Sequence, residues 1–227
     1  MPTADELRVV ALSLKVACWG VGASLPLAIA TAFVLARKRF PGKTLFDAVV
    51  HLPLVLPPVV VGFALLVLFG RQGPLGRLLE PLGLVFSFRW TGAALAAAIM
   101  GFPLMVRAIR LAIDAVDTRL ESAARTLGAA RARVFFTITL PLAWPGVVTG
   151  ALLAFARALG EFGATITFVS NIPGETQTLP LAIYTFTQVP GGDEQALRLS
   201  VLSVLLSLAA LALSERLTRR AGGARDA

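Results

Sequence analysis

The side chains able to do chemistry are few and scattered. The chain of 227 residues has one histidine, His51, and one cysteine, Cys18. A lone cysteine excludes an internal disulfide and a cysteine-based metal site, and one histidine leaves no zinc or haem ligand set. Gly42-Lys43-Thr44 lacks the upstream glycine of a phosphate-binding Gly-x4-Gly-Lys-Ser/Thr loop. With no paired carboxylates and no nucleophile–base set, neither catalysis nor a cofactor is expected. Glu161 is different: it follows a long apolar run, near Gly160 and Gly163, with Arg157 four residues earlier on the same helical face. A charged side chain at membrane depth costs ~2.5–3.5 kcal/mol on insertion scales and is functional by default. Two roles stay open for it, a structural pair with Arg157 or a gate together with Phe162. Thr165, Thr167, Ser170 and Asn171 follow. They either offer neutral hydrogen bonds to a passing anion or bond helix carbonyls. Pro57-Pro58, with Gly62 one turn on, is either a packing kink or a break in a helix that lines a pathway.

The elements that must position these groups are membrane spans. The composition is 56% apolar and only 15% charged, with a mean hydropathy of +0.79, against roughly 25% charged in soluble domains. The net charge of +8 forms no aromatic-interleaved basic face, so nucleic acid is not a partner. Uncharged runs near the ~20 residues that cross a bilayer are Val16–Ala36, Leu52–Gly70, Trp90–Val106, Val134–Ala156 and Leu199–Ser214. The stretch Thr176–Gly192, rich in threonine, proline and glycine, suits an outer-face or re-entrant segment. Asp5 and Glu6 stand where a cleaved signal needs positive charge, so the first run reads as a retained span. The reading is an all-α polytopic bundle of about five spans forming one domain over residues 1–227.

Basic residues orient it. Of 21, 14 lie in the segments 37–43, 107–133 and 216–225, which five spans place on one side, the cytoplasm. The N-terminus is then outside and the C-terminus inside. Lys15 is expected to snorkel to the outer interface, His51 to pack at the inner one, and Cys18 to fill space as a small apolar group.

The longest polar stretch on the cytoplasmic side, Asp114–Arg133, reads as a short helix. Thr118 and Glu121 fit a capping box, and Glu121 is spaced to pair with Arg125. Leu120, Ala123, Ala124 and Leu127 make one narrow apolar stripe, and Gly128 ends it as a C′ glycine. Such a helix either lies on the membrane or docks into a groove on another protein. Its small residues bury little area in lipid, which favours docking.

The pattern Glu121-x-Ala123-Ala124-x3-Gly128-x9-Ile138-x-Leu140-Pro141 resembles the EAA loop of ABC importer permeases, here spanning about residues 114–141. Glutamate directly precedes the two alanines in the commonest form, whereas Ser122 intervenes here. The shifted spacing is similar to the molybdate and sulfate branch. So are His51-Leu-Pro-Leu-Val-Leu-Pro-Pro-Val-Val-Val-Gly62 and the Gly160-Glu-Phe-Gly-Ala164 block. The resemblance implies a type I importer permease with Glu121, Ala123, Ala124, Leu127, Gly128, Ile138, Leu140 and Pro141 in the loop that couples to an ATPase. Pro57, Pro58, Glu161, Phe162, Thr165 and Thr167 would lie along the pathway or its gate. It further implies a non-catalytic subunit in the inner membrane, paired with a second copy and surrounded by membrane lipid. A cytoplasmic ABC ATPase dimer and an extracytoplasmic oxyanion-binding protein would be its partners. Molybdate is the expected substrate, with tungstate and sulfate as alternatives. An ion-coupled secondary transporter is the competing class, though no inverted repeat is present.

Overall fold

A computed structural model describes residues 3–223, and all its regular elements are helical. In chain order they are α1 (Ala4–Arg37), α2 (Lys43–Val55), α3 (Pro58–Phe69), α4 (Pro74–Leu79) and α5 (Trp90–Asp114). Then come α6 (Thr118–Thr126), α7 (Arg131–Val134), a π-helical turn (Phe135–Thr139), α8 (Leu140–Leu159), α9 (Gly163–Val169), α10 (Leu179–Thr187) and α11 (Asp193–Gly223).

The helices α1, α5 and α8 form the centre of the bundle. Small side chains let their backbones approach, as expected where van der Waals packing replaces the hydrophobic drive. Ala28 and Ala32 of α1, Met105 and Ile109 of α5, and Ala143, Val147 and Ala154 of α8 form one buried cluster. A second cluster joins Ala17, Ala93, Ala97 and Ala158 to Val61 and Leu65 of α3 and Phe168 of α9. At Gly20 a Cβ would come within 2.7 Å of the Ala94 carbonyl oxygen, so only glycine permits that α1–α5 crossing. Large apolar residues such as Leu27, Val55, Phe63 and Leu68 face outward, as lipid-facing positions do.

Three of the expected runs lie in helices long and apolar enough to cross a membrane: α1, α5 and the continuous stretch Arg131–Leu159. The second run departs from a straight span. Its two parts, α2 and α3, are bent by 112° from a straight continuation. Pro57 has no N–H to continue the helix and its ring disfavours helical geometry at Leu56; Leu56 is indeed extended. The fifth run, Leu199–Ser214, lies in α11, whose side chains are described in full to residue 210. The doubtful stretch contains α10, nine residues long and too short to cross. α10 packs Leu179 and Ala182 against Leu199 of α11.

The two ends of the bundle are tied differently. At one end a capping box of Thr3 and Glu6 starts α1, and Arg198 of α11 meets Glu6 at 3.2 Å. There too the Leu179 N–H donates to Ser13 Oγ at 2.7 Å, and Lys15 sits 3.6 Å from the centre of the Trp90 ring. The Thr3 backbone N–H, and then Arg198, hold the Glu6 carboxyl below its ordinary value of 4.5. At the other end Arg37 reaches Glu121 and Arg110 reaches Asp47, which also neighbours His51. The basic segments 37–43 and 107–133 therefore gather at one end of the molecule.

Candidate functional site: a docking helix and a buried carboxylate

The polar loop does form a helix, α6, and its ends follow local rules. Asp117 is the N-cap, its carboxylate accepting the Arg119 N–H at 2.8 Å. The expected capping box at Thr118 is therefore not made, because Asp117 one residue earlier takes the cap. Gly128 sits at φ +86°. The Ala129 N–H bonds the Ala124 carbonyl and the Gly128 N–H bonds the Arg125 carbonyl, a complete Schellman ending that favours glycine.

One side chain on α6 turns inward. Glu121 is buried while Ser122, Ala123, Arg125 and Leu127 around it are exposed, Leu127 at 89%. Arg37 at the end of α1 lies 3.0 Å from Glu121 Oε1, and the buried Thr139 hydroxyl donates to the same oxygen at 2.9 Å. Arg37 also donates to the Val116 carbonyl at 3.0 Å. The expected side-chain pair with Arg125 is absent; Arg125 instead donates to the Glu121 carbonyl. A largely buried carboxylate–guanidinium pair with a third donor is far better held than an exposed i,i+4 pair. Arg37 lies 84 positions away, and no local periodicity would have found it.

Thr139 belongs to the π-helical turn, an irregularity common at functional sites. The later loop residues face elsewhere. Ile138 is half-buried, Leu140 packs against the core formed by α1, α5 and α8, and Pro141 is exposed in the first turn of α8. The exposed apolar surface of the loop belongs to Leu120, Ala123 and Leu127.

The second constellation lies where α8 ends. Glu161 is 2% exposed, and its Oε1 accepts the Ala164 N–H at 2.8 Å. Arg157 approaches Oε2 to 2.5 Å as an ion pair without hydrogen-bond alignment. The bend at Pro57-Pro58 brings α3 against α9. A Cβ on Gly62 would lie 2.5 Å from the Ala164 carbonyl oxygen, and one on Gly163 would lie 2.8 Å from Pro58. Pro58, Gly62, Glu161 and Thr167 are thus one neighbourhood, and Pro57 is its hinge. Phe162 stacks at a tilt on Tyr184 of α10, 5.2 Å between ring centres. Three of the four polar groups are occupied or enclosed: Thr167 donates to the Gly163 carbonyl, Asn171 donates to Thr185, and Thr165 is buried, whereas Ser170 is exposed. Among the described residues no three histidines, cysteines or carboxylates gather as metal ligands.

Residues 24–223 match the family described as binding-protein-dependent transport system inner membrane component. The chain belongs to that family. Among transport permeases of this kind, it is 61% identical over 218 residues to the molybdenum transport system permease protein ModB of Escherichia coli (strain K12), covering 96% of this chain and 95% of the relative. The ModB of Haemophilus influenzae is 58% identical, covering 95% and 94%. The fold is that of solved importers. A bacterial alginate ABC transporter, crystallised with an alginate pentasaccharide-bound periplasmic protein, matches at a TM-score of 0.75 and 16% identity. That match covers 96% of this chain and 80% of the transporter's.

Proposed function

We propose that this chain is the membrane subunit of an ATP-driven importer of molybdate, with α6 as the surface through which a cytoplasmic ATPase acts. Two copies would enclose the pathway between them, since about five spans barely surround a pore alone. Each would dock one ATPase subunit, and an extracytoplasmic binding protein would deliver the oxyanion. The N-terminus is then outside and the C-terminus in the cytoplasm, as the basic segments require. The observation that carries the substrate is the 61% identity to a molybdenum permease along nearly the whole chain.

The site geometry gives that reading a mechanism. ATP binding closes the ATPase pair, and the two α6 helices move with it. Because Glu121 is clamped to Arg37 and Thr139, a displacement of α6 is passed to the ends of α1 and α8. Those helices carry the bundle core, and α8 ends at Leu159, two residues after Arg157 and two before Glu161. Opening the pathway then requires the α3–α9 contact at Gly62 to shift and the Glu161–Arg157 neighbourhood to rearrange. A dianion cannot be attracted by Glu161, so its carboxylate serves the gate.

Uptake by proteoliposomes tests this reading. Vesicles holding the chain with its ATPase, supplied with binding protein and internal ATP, should accumulate molybdate and lose uptake when the ATPase is left out. Uptake driven by an ion gradient without the ATPase would overturn it in favour of a secondary transporter. Preferential uptake of sulfate would overturn the substrate alone.

A further inference from the structure

A cleft of about 670 Å³ opens between the end of α1 and the α6–α7 segment, apart from the Glu161 neighbourhood. Its floor is apolar: Phe33, Phe135 and Phe136 line it, and Phe33 and Phe135 meet edge to face at 4.8 Å. These rings belong to the apolar ends of the first and fourth spans, within a turn or so of the membrane surface. Its rim is cationic. Arg37, Lys38, Arg125 and Arg131 line it, against a single carboxylate, Glu121. That carboxylate is already taken by Arg37. Arg125 bonds only neutral oxygens, and the exposed Lys38 and Arg131 make no ion pair among the described residues.

An apolar floor at membrane depth beneath unneutralised cations is the chemistry that holds an anionic lipid headgroup with its acyl chains. We infer that this cleft is a binding site for an anionic phospholipid. Its phosphate is held by Lys38, Arg125 and Arg131, and its chains lie over Phe135 and Phe136. Since Arg125 belongs to α6 and Lys38 immediately follows α1, the lipid bridges the docking helix to the first span. It thereby strengthens the connection that Glu121 makes within the same cleft. The site depends on the cleft and its charges, not on which oxyanion is carried.

Native mass spectrometry of the permease with its ATPase, titrated with phosphatidylglycerol or phosphatidylcholine, tests this directly. Phosphatidylglycerol should bind preferentially. The double variant Lys38→Ala/Arg131→Ala should weaken it roughly twenty-fivefold, at about fivefold for each basic residue near an anionic surface. Arg71→Ala, exposed on a distant loop, should leave binding unchanged. Phe136→Ser should weaken phosphatidylglycerol but not inorganic phosphate, offered as a second probe. Equal binding of the two lipids, or full affinity in the double variant, overturns the site. Inorganic phosphate that displaces the lipid at micromolar concentration overturns the lipid in favour of a free-anion site. Because binding is read by mass and not by transport, a failure here leaves the molybdate reading untouched, and a failed uptake assay leaves this one standing.

Discussion

At the scale of single residues, Glu121 carries the most consequence. Breaking a largely buried ion pair strands the remaining charge, whereas replacing both partners with apolar groups is often neutral. Arg37 and Glu121 have side chains 14% and 11% exposed, so this asymmetry should be measurable. Glu121→Gln is expected to cost about 1.5–3 kcal/mol, the worth of hydrogen bonds to a charged group, and to lower substrate-stimulated ATP hydrolysis. Arg37→Met/Glu121→Leu should recover the melting temperature in detergent and still hydrolyse ATP without transport. A double variant that also restores transport would remove the clamp from the coupling path. For Glu161, the expected result of Glu161→Gln is raised basal ATP hydrolysis with leaky uptake. Wild-type values for both would take it out of the gate. Neither partner assignment was equally legible in advance. Arg157 and Glu161 are one helical turn apart and could be paired from spacing. Arg37 and Glu121 are joined only by the fold, and so the local reading gave Glu121 to a cap that Asp117 makes instead.

Among the elements, the α3–α9 crossing and the start of α1 are the most exacting. Gly62→Ala would press a methyl into the Ala164 backbone and should cost about 1–3 kcal/mol, as overpacking does. Gly22→Ala, in α1 with open space around it, should be neutral or stabilising by up to ~1 kcal/mol. Equal thermal shifts for the two would contradict the crossing. At the other end of α1, the depressed pKa of Glu6 fixes the sign of a pH effect. Its ionised form contributes stability that is present above the ordinary value of 4.5 and is lost as pH falls through the lowered folded value. The melting advantage of the wild type over Glu6→Gln should therefore vanish on acidification, and an advantage that grew with acid would contradict the contact with Thr3 and Arg198. The apolar runs made α1, α5 and α8 readable, and Gly128 marked the end of α6 by a backbone requirement. Pro57-Pro58 marked a break, but no sequence period encodes its 112° bend or the close approach of Gly62 to Ala164 that accompanies it.

For the whole molecule, sidedness is the property with most to test. With Cys18→Ala removing the single cysteine, Leu127→Cys places a thiol at the most exposed apolar position of α6, the proposed docking helix. A membrane-impermeant thiol reagent should label it in inside-out vesicles and not in intact cells, and the bound ATPase should protect it. Labelling of intact cells would reverse the orientation. The charge distribution made this axis legible because basic residues are sorted along it. The assembly was less so, since a chain of this kind exposes its contact surfaces only once it is folded.

Leu120 and Leu127 have a further meaning for the life of the protein in the cell. Both project from a helix whose outer face holds nothing against them, Leu127 almost fully. If α6 docks the proposed ATPase, a copy made without that partner shows water an apolar knob that the assembled transporter would hide. On the proposed docking, surplus copies would be marked for disposal by the same feature that serves assembly, and the amount of permease that accumulates should follow the supply of the ATPase.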